Sequence, residues 1–450
     1  MGSVSDTAAD PVAVEHESRG LSHSTFAAFR SKPFTLLWAN TITFALSQSI
    51  QQFTFAWLAI EIGEGGAQLW SGFTVGEGTL LGLVIAALGL PILLFGLYAG
   101  ILADRLDRRL LLFGSQGAGI AITAGAATLV AMGSLNIWGV LGLAFVLGSA
   151  VAFGMPVRQA IVPSLVPPER VLNAVTLMNV GAQVATGGAV ISGAVIELGG
   201  ISAAFAAQAG LLTLGLLALI PLRVPNVRAG ISRRMSEDLR EGFTFVVHHA
   251  GIRSLMIALL ATALVIGGAF QALLPKIAVD DLDAGPFQAS MLFTVMLGGT
   301  LITSLVLASF RRVDRAGFYF LMTLVVGGFL NIGLGVAPWY TLALVIMFIT
   351  GWNAGFFTNL NMALVQAHTP NAIMGRVMSI YQICMAGAMP LGALVAGLMA
   401  DVVGAQEWYA ICGVGLLVLG LVMVATQTDL RRMSSAPDPE RDAVASAAGG

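Results

Sequence analysis

Very few side chains in this sequence could perform covalent or metal chemistry, and those few are scattered. His248, His249 and His368 sit in polar stretches without companion ligands, so no metal or catalytic role is expected of them. Cys384 and Cys412 lie in apolar runs and read as small buried hydrophobes. The only lysines are Lys32, followed by Pro33, and Lys276, followed by Ile277. A phosphate-cradling G-x-x-x-x-G-K-[ST] loop is therefore absent. Nor is there a clustered pair of acids or a His–acid set of the kind general acid–base catalysis needs. What the chain offers is non-covalent chemistry. Asn40, Phe44, Ser47, Gln48, Gln51 and Phe55 recur within one apolar stretch, on one narrow face at 100° per residue. Amides, hydroxyls and aromatic rings bind an uncharged or zwitterionic guest by hydrogen bonding and stacking. Such groups are costly against lipid, so this stripe is expected to face a cavity; packing against another helix is the alternative.

These side chains are carried by an overwhelmingly apolar chain. Of 450 residues, 57% are hydrophobic and 10% charged. A soluble domain carries about 25% charged residues, so a soluble fold of this length is excluded. The net charge of −2 gives no basic footprint for nucleic acid. A span needs roughly 20 apolar residues. Candidates lie near 36–60, 79–102, 110–132, 137–156, 172–196, 202–222, 255–275, 288–310, 317–336, 340–364, 376–400 and 408–427. They are too long and continuous for barrel strands, so the fold class is an all-α membrane protein with twelve transmembrane helices. Residues 1–33 lack the apolar core of a signal peptide. With residue 1 cytoplasmic, 21 of the 22 Lys and Arg residues fall inside, Arg158 among them in the loop after the fourth span, and Lys276 alone falls outside. That is the pattern of the positive-inside rule, and it places both termini in the cytoplasm. No span then carries a charge or a histidine in its middle, which points to cargo that is neutral or has its charge masked. A cation could still be held over the ring of Phe44 or Phe270.

The chain also repeats itself. The loop 223–253 divides the spans six and six and contains SRRMSEDLREGFTFVV, a candidate amphipathic surface helix. The expected domains are an N-terminal tail 1–33, a six-helix bundle 34–222, this loop, a second bundle 254–427 and a disordered tail 428–450. FGMPVRQAIVPSLVPPERVLNA, between spans 4 and 5, is echoed by NMALVQAHTPNAIMGRVMS between spans 10 and 11, with Pro167 matching Pro370. ADRLDRR after span 2 is echoed by FRRVDRA after span 8, with Asp107 matching Asp314. Two six-helix halves with a repeat are a transporter architecture whose site lies near the midplane between them.

GILADRLDRR, Gly100 to Arg109, resembles motif A of the major facilitator superfamily, with Asp107 at the usual glycine. F-x-x-P-x-R-Q-A-x-x-P-x-L-V-P, Phe153 to Pro167, resembles the branch of enterobactin exporters and drug-efflux and secretion transporters. The resemblance implies two pseudo-symmetric bundles that rock about a central site, usually driven by protons. It implies that Asp104, with Gly100 and Arg105, latches the cytoplasmic side against the start of span 11. Arg108 and Arg109 are expected mainly to set topology. In this fold spans 1, 4, 7 and 10 line the cavity. Phe270 and Gln271 of span 7 and Asn353, Phe357 and Asn361 of span 10 would then join the stripe of span 1, with Tyr381 and Gln382 of span 11 as second-wall contacts.

The antiporter signature of span 5 is partial: GAVISG, Gly188 to Gly193, has Ala189 where proline belongs, whereas span 11 keeps Pro390 beside Gly387 and Gly392. Helix packing is the expected role of these small residues. The family's span 4 arginine is missing from AFVLGSAVAFGM, and Gln48 stands where relatives often carry an acid. A coupling proton is left to Glu61, Glu197 and Asp401, at the outer ends of spans 1, 5 and 11, unless these are solvated helix ends. The expectation is a proton-coupled exporter of small amphiphilic or hydrophobic compounds, such as a drug, siderophore or secondary metabolite. It would work as a monomer in a bacterial cytoplasmic membrane, with no cofactor, no metal, no nucleic acid and no enzymatic activity. An importer or lipid-like substrate carrier of the same fold, and a non-transporting sensor, are the alternatives.

Overall fold

The computed structural model describes the chain apart from residues 1–26, 64–65, 71–72, 106, 186, 223–234, 311–312, 371–372 and 436–450. Long apolar helices dominate it, as they must where lipid offers the backbone no hydrogen-bonding partner. The first half comprises α1 (Lys32–Gly63), α2 (Glu77–Arg105), α3 (Arg108–Ala131), α4 (Ile137–Leu165), α5 (Val171–Ala185) and α6 (Gly188–Leu219). A small hairpin, β1 (Ala67–Trp70) with β2 (Phe73–Val75), joins α1 to α2. The second half comprises α8 (Ala250–Thr262) and α9 (Gly268–Asp280) in one span, α10 (Pro286–Ala308), α11 (Ala316–Leu334), α12 (Tyr340–Ala367), α13 (Met374–Gln382) and α14 (Ala388–Val403) in another, and α15 (Ala405–Thr426). Between the halves runs α7 (Met235–His248), and α16 (Thr428–Arg432) follows α15.

Ten stretches among the described residues are long and apolar enough to cross a membrane. One of them, Asn173–Leu219, spans 47 residues and is two helices, not one. Gly181 lies beside Trp38 and Ser192 beside Thr54; further on, Phe205 lies against Phe55, Gln208 against Gln51 and Gly215 against Asn40. The chain therefore runs along α1 and back again. It reverses at Gly200, whose φ of 76° is the left-handed region that a glycine adopts without strain. With this reversal counted and the 32-residue α1 added, the helices are consistent with twelve spans. Prolines 91, 156, 163 and 275 all lie inside helices, which membrane helices tolerate because neighbouring groups re-satisfy the backbone.

Three expectations need correction. The fourth span does not stop at Pro156: α4 continues to Leu165 and carries Arg158 inside it. The start of the tail is not disordered, because α16 inserts Leu430 at 1% exposure and Met433 O accepts from Gly317 N. Residues 436–450 of that tail lie outside the described residues, as do 1–26 of the N-terminal one. The second bundle starts earlier than expected, since α8 begins at Ala250.

The amphipathic segment forms α7. It presents Phe243 and Val247 outward, buries Val246, and is tied to α13 by Glu241 and Arg376 at 2.6 Å. The loop histidines are locally engaged: the His248 and His368 Nδ1 atoms lie 2.7 and 2.9 Å from the Thr244 and Leu364 carbonyl oxygens. His249 stacks near Phe245, and burial, with His368 nearby, holds its imidazole below the ordinary histidine range.

Candidate functional site

Between the halves lies a cavity of about 670 Å³, within the size range of small-molecule sites. The first half contributes Ser49, Gln52, Phe53 and Ala56 from α1, Gln183 from α5 and Ala189 from α6. The second half contributes the larger share, from α8, α9, α10, α12, α13, α14 and α15. Phe293 stacks edge-on to both Phe53, at 6.0 Å, and Phe270, at 5.1 Å, so one aromatic wall bridges the halves. Met296, Met362, Met385 and Met389 supply a soft, adaptable surface. Gln271, Gln382, Asn359, Thr300 and Thr358 are among the polar members on the second half. None of the described lining residues is charged.

Two interruptions of the α-helical ladder contribute to the wall of the second half. Ala263–Gly267 and Ile383–Gly387 are π-helical turns, one in each of two neighbouring spans. Such bulges free backbone groups and are frequent at functional sites. The two spans touch beside them: Gly392 packs on the Leu264 carbonyl and Gly268 on the Gly392 backbone. Thr262, just before the first bulge, has a buried hydroxyl with no hydrogen-bond partner among the described residues.

Of the anticipated cavity residues, Phe270, Gln271, Phe357, Tyr381 and Gln382 stand in this wall. The stripe of α1 does not. Asn40, Phe44, Ser47, Gln51 and Phe55 are buried between helices, and Gln48 is half-buried outside the lining. Gln51 Oε1 accepts from Gln208 Nε2 at 3.0 Å, and Phe55 meets Phe205 edge-on at 5.2 Å. Asn353 and Asn361 donate to the carbonyls of Thr323 and Leu255 and are likewise absent from the wall. The cavity-facing side of α1 is a second stripe, Ser49, Gln52, Phe53 and Ala56. Its spacing is equally helical, and its two polar members were the available signal.

Two members of the α1 stripe, Asn40 and Phe44, are instead held by Arg158, which is 4% exposed. Arg158 Nε donates to Asn40 Oδ1 at 3.2 Å and Nη2 to Gln116 Oε1 at 2.9 Å. Asn40 Nδ2 donates to the same Gln116 oxygen and to Gly215 O, both at 2.9 Å, and Gln116 Nε2 donates to Leu212 O at 2.8 Å. The guanidinium lies 3.6 Å from the centre of the Phe44 ring. The expectation of charge-free spans is therefore wrong here, and the ring of Phe44 is not free to receive a cation. Pro156 reads in sequence as a helix end, which put Arg158 in a loop; in the fold the helix passes through it.

Motif A is partly visible. Gly100, Asp104 and Arg105 end α2, with their side chains outside the described residues. Asp107 caps α3, accepting from Arg109 N at 2.8 Å and Leu110 N at 3.4 Å; a capping role explains an acid where glycine is usual. Arg108 begins α3. Arg109 Nη2 donates to Ile220 O at 2.8 Å, binding this turn to the end of α6. The small residues all sit at close helix approaches: Gly188 on Leu46 O, Gly193 on Ser290, Gly387 on Leu93, Pro390 on Gly89 and Gly392 on Leu264 O.

The molecule has an arginine-rich end, with Arg30, Arg108, Arg109 and Arg170, and an acidic end, with Glu77, Glu197, Asp280 and Asp401. At the acidic end the halves are in tight contact. Lys276 of α9 bonds Glu77 of α2 at 2.6 Å and Asp280 at 2.7 Å. Gly78 and Gly82 of α2 lie against Gly397 and Ala393 of α14. Asp401 accepts from Gly78 N and Thr79 N, and Glu197 from Phe287 N. Glu61 is exposed at the end of α1. Leu93 still touches Gly387; beyond it toward the arginine-rich end, Leu94 and Tyr98 of α2 are 53% and 68% exposed.

Comparison with known proteins agrees with this architecture. A family model described as "Transmembrane secretion effector" matches residues 23–445. Macrolide efflux protein A of Streptococcus pyogenes is 25% identical over 400 residues, covering 86% of this chain and 94% of that protein. Enterobactin exporter EntS of Escherichia coli is 25% identical over 370 residues, covering 79% and 85%. Among solved structures, a POT family transporter in complex with 5-aminolevulinic acid aligns at a TM-score of 0.70 and 12% identity, over 88% of this chain and 96% of that one. Nucleoside transporter NupG aligns at 0.65 and 16% identity, over 88% and 99%. The structural likenesses establish the fold.

Proposed function

The chain belongs to the transmembrane secretion effector family of the major facilitator superfamily, and from that premise we propose that it is a secondary exporter of small neutral or zwitterionic amphiphiles. The observation that carries this reading is the uncharged cavity of aromatic rings, methionines, amides and hydroxyls between the halves, in a chain whose relatives include a macrolide efflux protein and an enterobactin exporter. A charged guest in such a site would lose its hydration without gaining a counter-ion. Amides and hydroxyls supply orientation, and the aromatic and thioether surface supplies most of the binding free energy.

In this reading the arginine-rich end faces the cytoplasm, following the positive-inside rule. The protein is a multi-pass monomer of a bacterial cytoplasmic membrane. The described conformation is then sealed outside and receives cargo from the inside. Rocking of the halves would expose the same cavity outward, driven by an inward flow of protons. Glu61, Glu197 and Asp401 remain the candidate proton carriers, and Asp104 the candidate latch at the cytoplasmic end.

The reading is tested by efflux of a matched series of neutral, cationic and anionic analogues from cells at equal expression. The neutral member is expected to be exported best. A clear preference for permanent cations or anions would contradict the proposal. Gln382→Leu is expected to raise KM for hydrogen-bonding cargo by about two- to tenfold, the size of one neutral hydrogen bond, with insertion unchanged. Asp104→Asn is expected to leave abundance unchanged and to cut transport strongly, measured as efflux per molecule at the membrane.

A further inference from the structure

The acidic end contains two carboxylates that each cross from one half to the other, and they do so in the same way. Asp401, on α14 of the second half, accepts from Gly78 N at 2.8 Å and Thr79 N at 2.9 Å, in the first turn of α2 in the first half. Glu197, on α6 of the first half, accepts from Phe287 N at 3.2 Å, in the first turn of α10 in the second half. The two acids lie 204 residues apart, close to the 203 separating Pro167 from Pro370 in the internal repeat. They are therefore repeat-related, and each half lends its acid to the other's helix.

The amides at a helix start have no partner within their own helix and carry a partial positive charge. A carboxylate there makes charge-assisted hydrogen bonds. The local sequence admits the Asp401 carboxylate: a Cβ on Gly76 would collide with it, and one on Gly78 would fall 2.8 Å from its Oδ1. If α14 parts from α2, Asp401 loses both donors, and if α6 parts from α10, Glu197 loses its own. These bonds exist only while this end is closed.

We propose that Asp401 and Glu197 are a matched pair of cross-half helix caps whose negative charge holds the acidic end of the molecule closed. Their counterpart is not a ligand but the first turn of a helix in the opposite half. Lys276, bridging to Glu77, adds a third clasp on the same rim. The device rests on the alternating-access part of the functional reading but makes no use of cargo or of proton coupling.

The test uses the purified full-length chain with Cys384 and Cys412 replaced by alanine. Spin labels are placed at Met132 and Val336, which are 71% and 65% exposed in the two halves. Distance distributions are compared for the parent, Asp401→Asn, Glu197→Gln, the double variant, and Asp283→Asn as a neutralised exposed acid in the loop between α9 and α10 at the same end. Each cap variant is expected to raise the ratio of separated to closed populations about two- to fivefold, the size of a charge at a helix start. The double variant should exceed either single one, with Asp283→Asn at the parent value. Unchanged distances in the double variant would overturn the proposal, as would an equal shift in Asp283→Asn. Because the readout needs no cargo, the caps can fail while export stands, and export can fail while the caps stand.

Discussion

Gly397→Leu is expected to reduce efflux at least tenfold while leaving the protein inserted and abundant. Gly397 of α14 sits on the Gly78 carbonyl and within 3.0 Å of Gly82 Cα, measured from where its Cβ would be. A Cβ on Gly82 would likewise fall 2.5 Å from the Ala393 carbonyl oxygen. Backbone meets backbone here, so no side chain can swing aside to make room. Overpacking such a contact costs about 1–3 kcal/mol or more, and about 1.4 kcal/mol shifts an equilibrium tenfold. The clash exists only when the acidic end is closed, so the cost falls on that conformation and not on the fold. Gly415→Leu is the control, since a Cβ there meets nothing within 4 Å. Wild-type efflux in Gly397→Leu at matched expression would contradict the account.

Gln116→Leu is expected to destabilise the folded protein by about 3 kcal/mol, seen as a lower Tm of the purified chain and lower abundance. The change removes the acceptor shared by Arg158 Nη2 and Asn40 Nδ2, and the donor to Leu212 O. A hydrogen bond to a charged group is worth about 1.5–3 kcal/mol, and leaving such a group buried without its partner costs more than an ordinary lost bond. Phe44→Leu should follow in the same direction by about 0.5–2 kcal/mol through the lost cation–π contact, with cargo preference unaltered. Phe270→Leu should do the reverse, altering cargo affinity with little change in Tm. An unchanged Tm in Gln116→Leu, or a cargo shift in Phe44→Leu, would show that the α1 stripe faces cargo after all.

Most of the architecture was legible because apolar length and arginine placement are strong, local signals. The candidate spans 172–196 and 202–222 already bracket the reversal at Gly200. The face of α1 was harder. Two stripes one residue apart both carry amides, and only the partner helices decide which is buried; Gln208 and Gln116, far along the chain, settle it. Arg158 was misplaced because Pro156 and Pro163 look like helix ends, yet a membrane bundle tolerates proline inside a helix. The methionine-rich wall of the second half and its two π turns left no periodic trace, since a π turn depends on how two spans cross and not on composition. The ordering of residues 428–435 rests on contacts at and before the start of α11, far back along the chain: Leu430 is buried, Met433 O accepts from Gly317 N, and Ser435 pairs with Val313.

The most direct test of an exporter of uncharged amphiphiles is transport by the purified full-length chain in liposomes under an imposed proton gradient. The uncharged dye Nile red would be compared with a quaternary ammonium and a carboxylate analogue. Gradient-dependent movement of the neutral dye is expected, with weaker movement of both charged analogues and loss of the neutral signal in Gly397→Leu. Saturable binding of the neutral dye with no flux under any gradient would contradict the proposed export, and would point to a sensor built on a transporter fold.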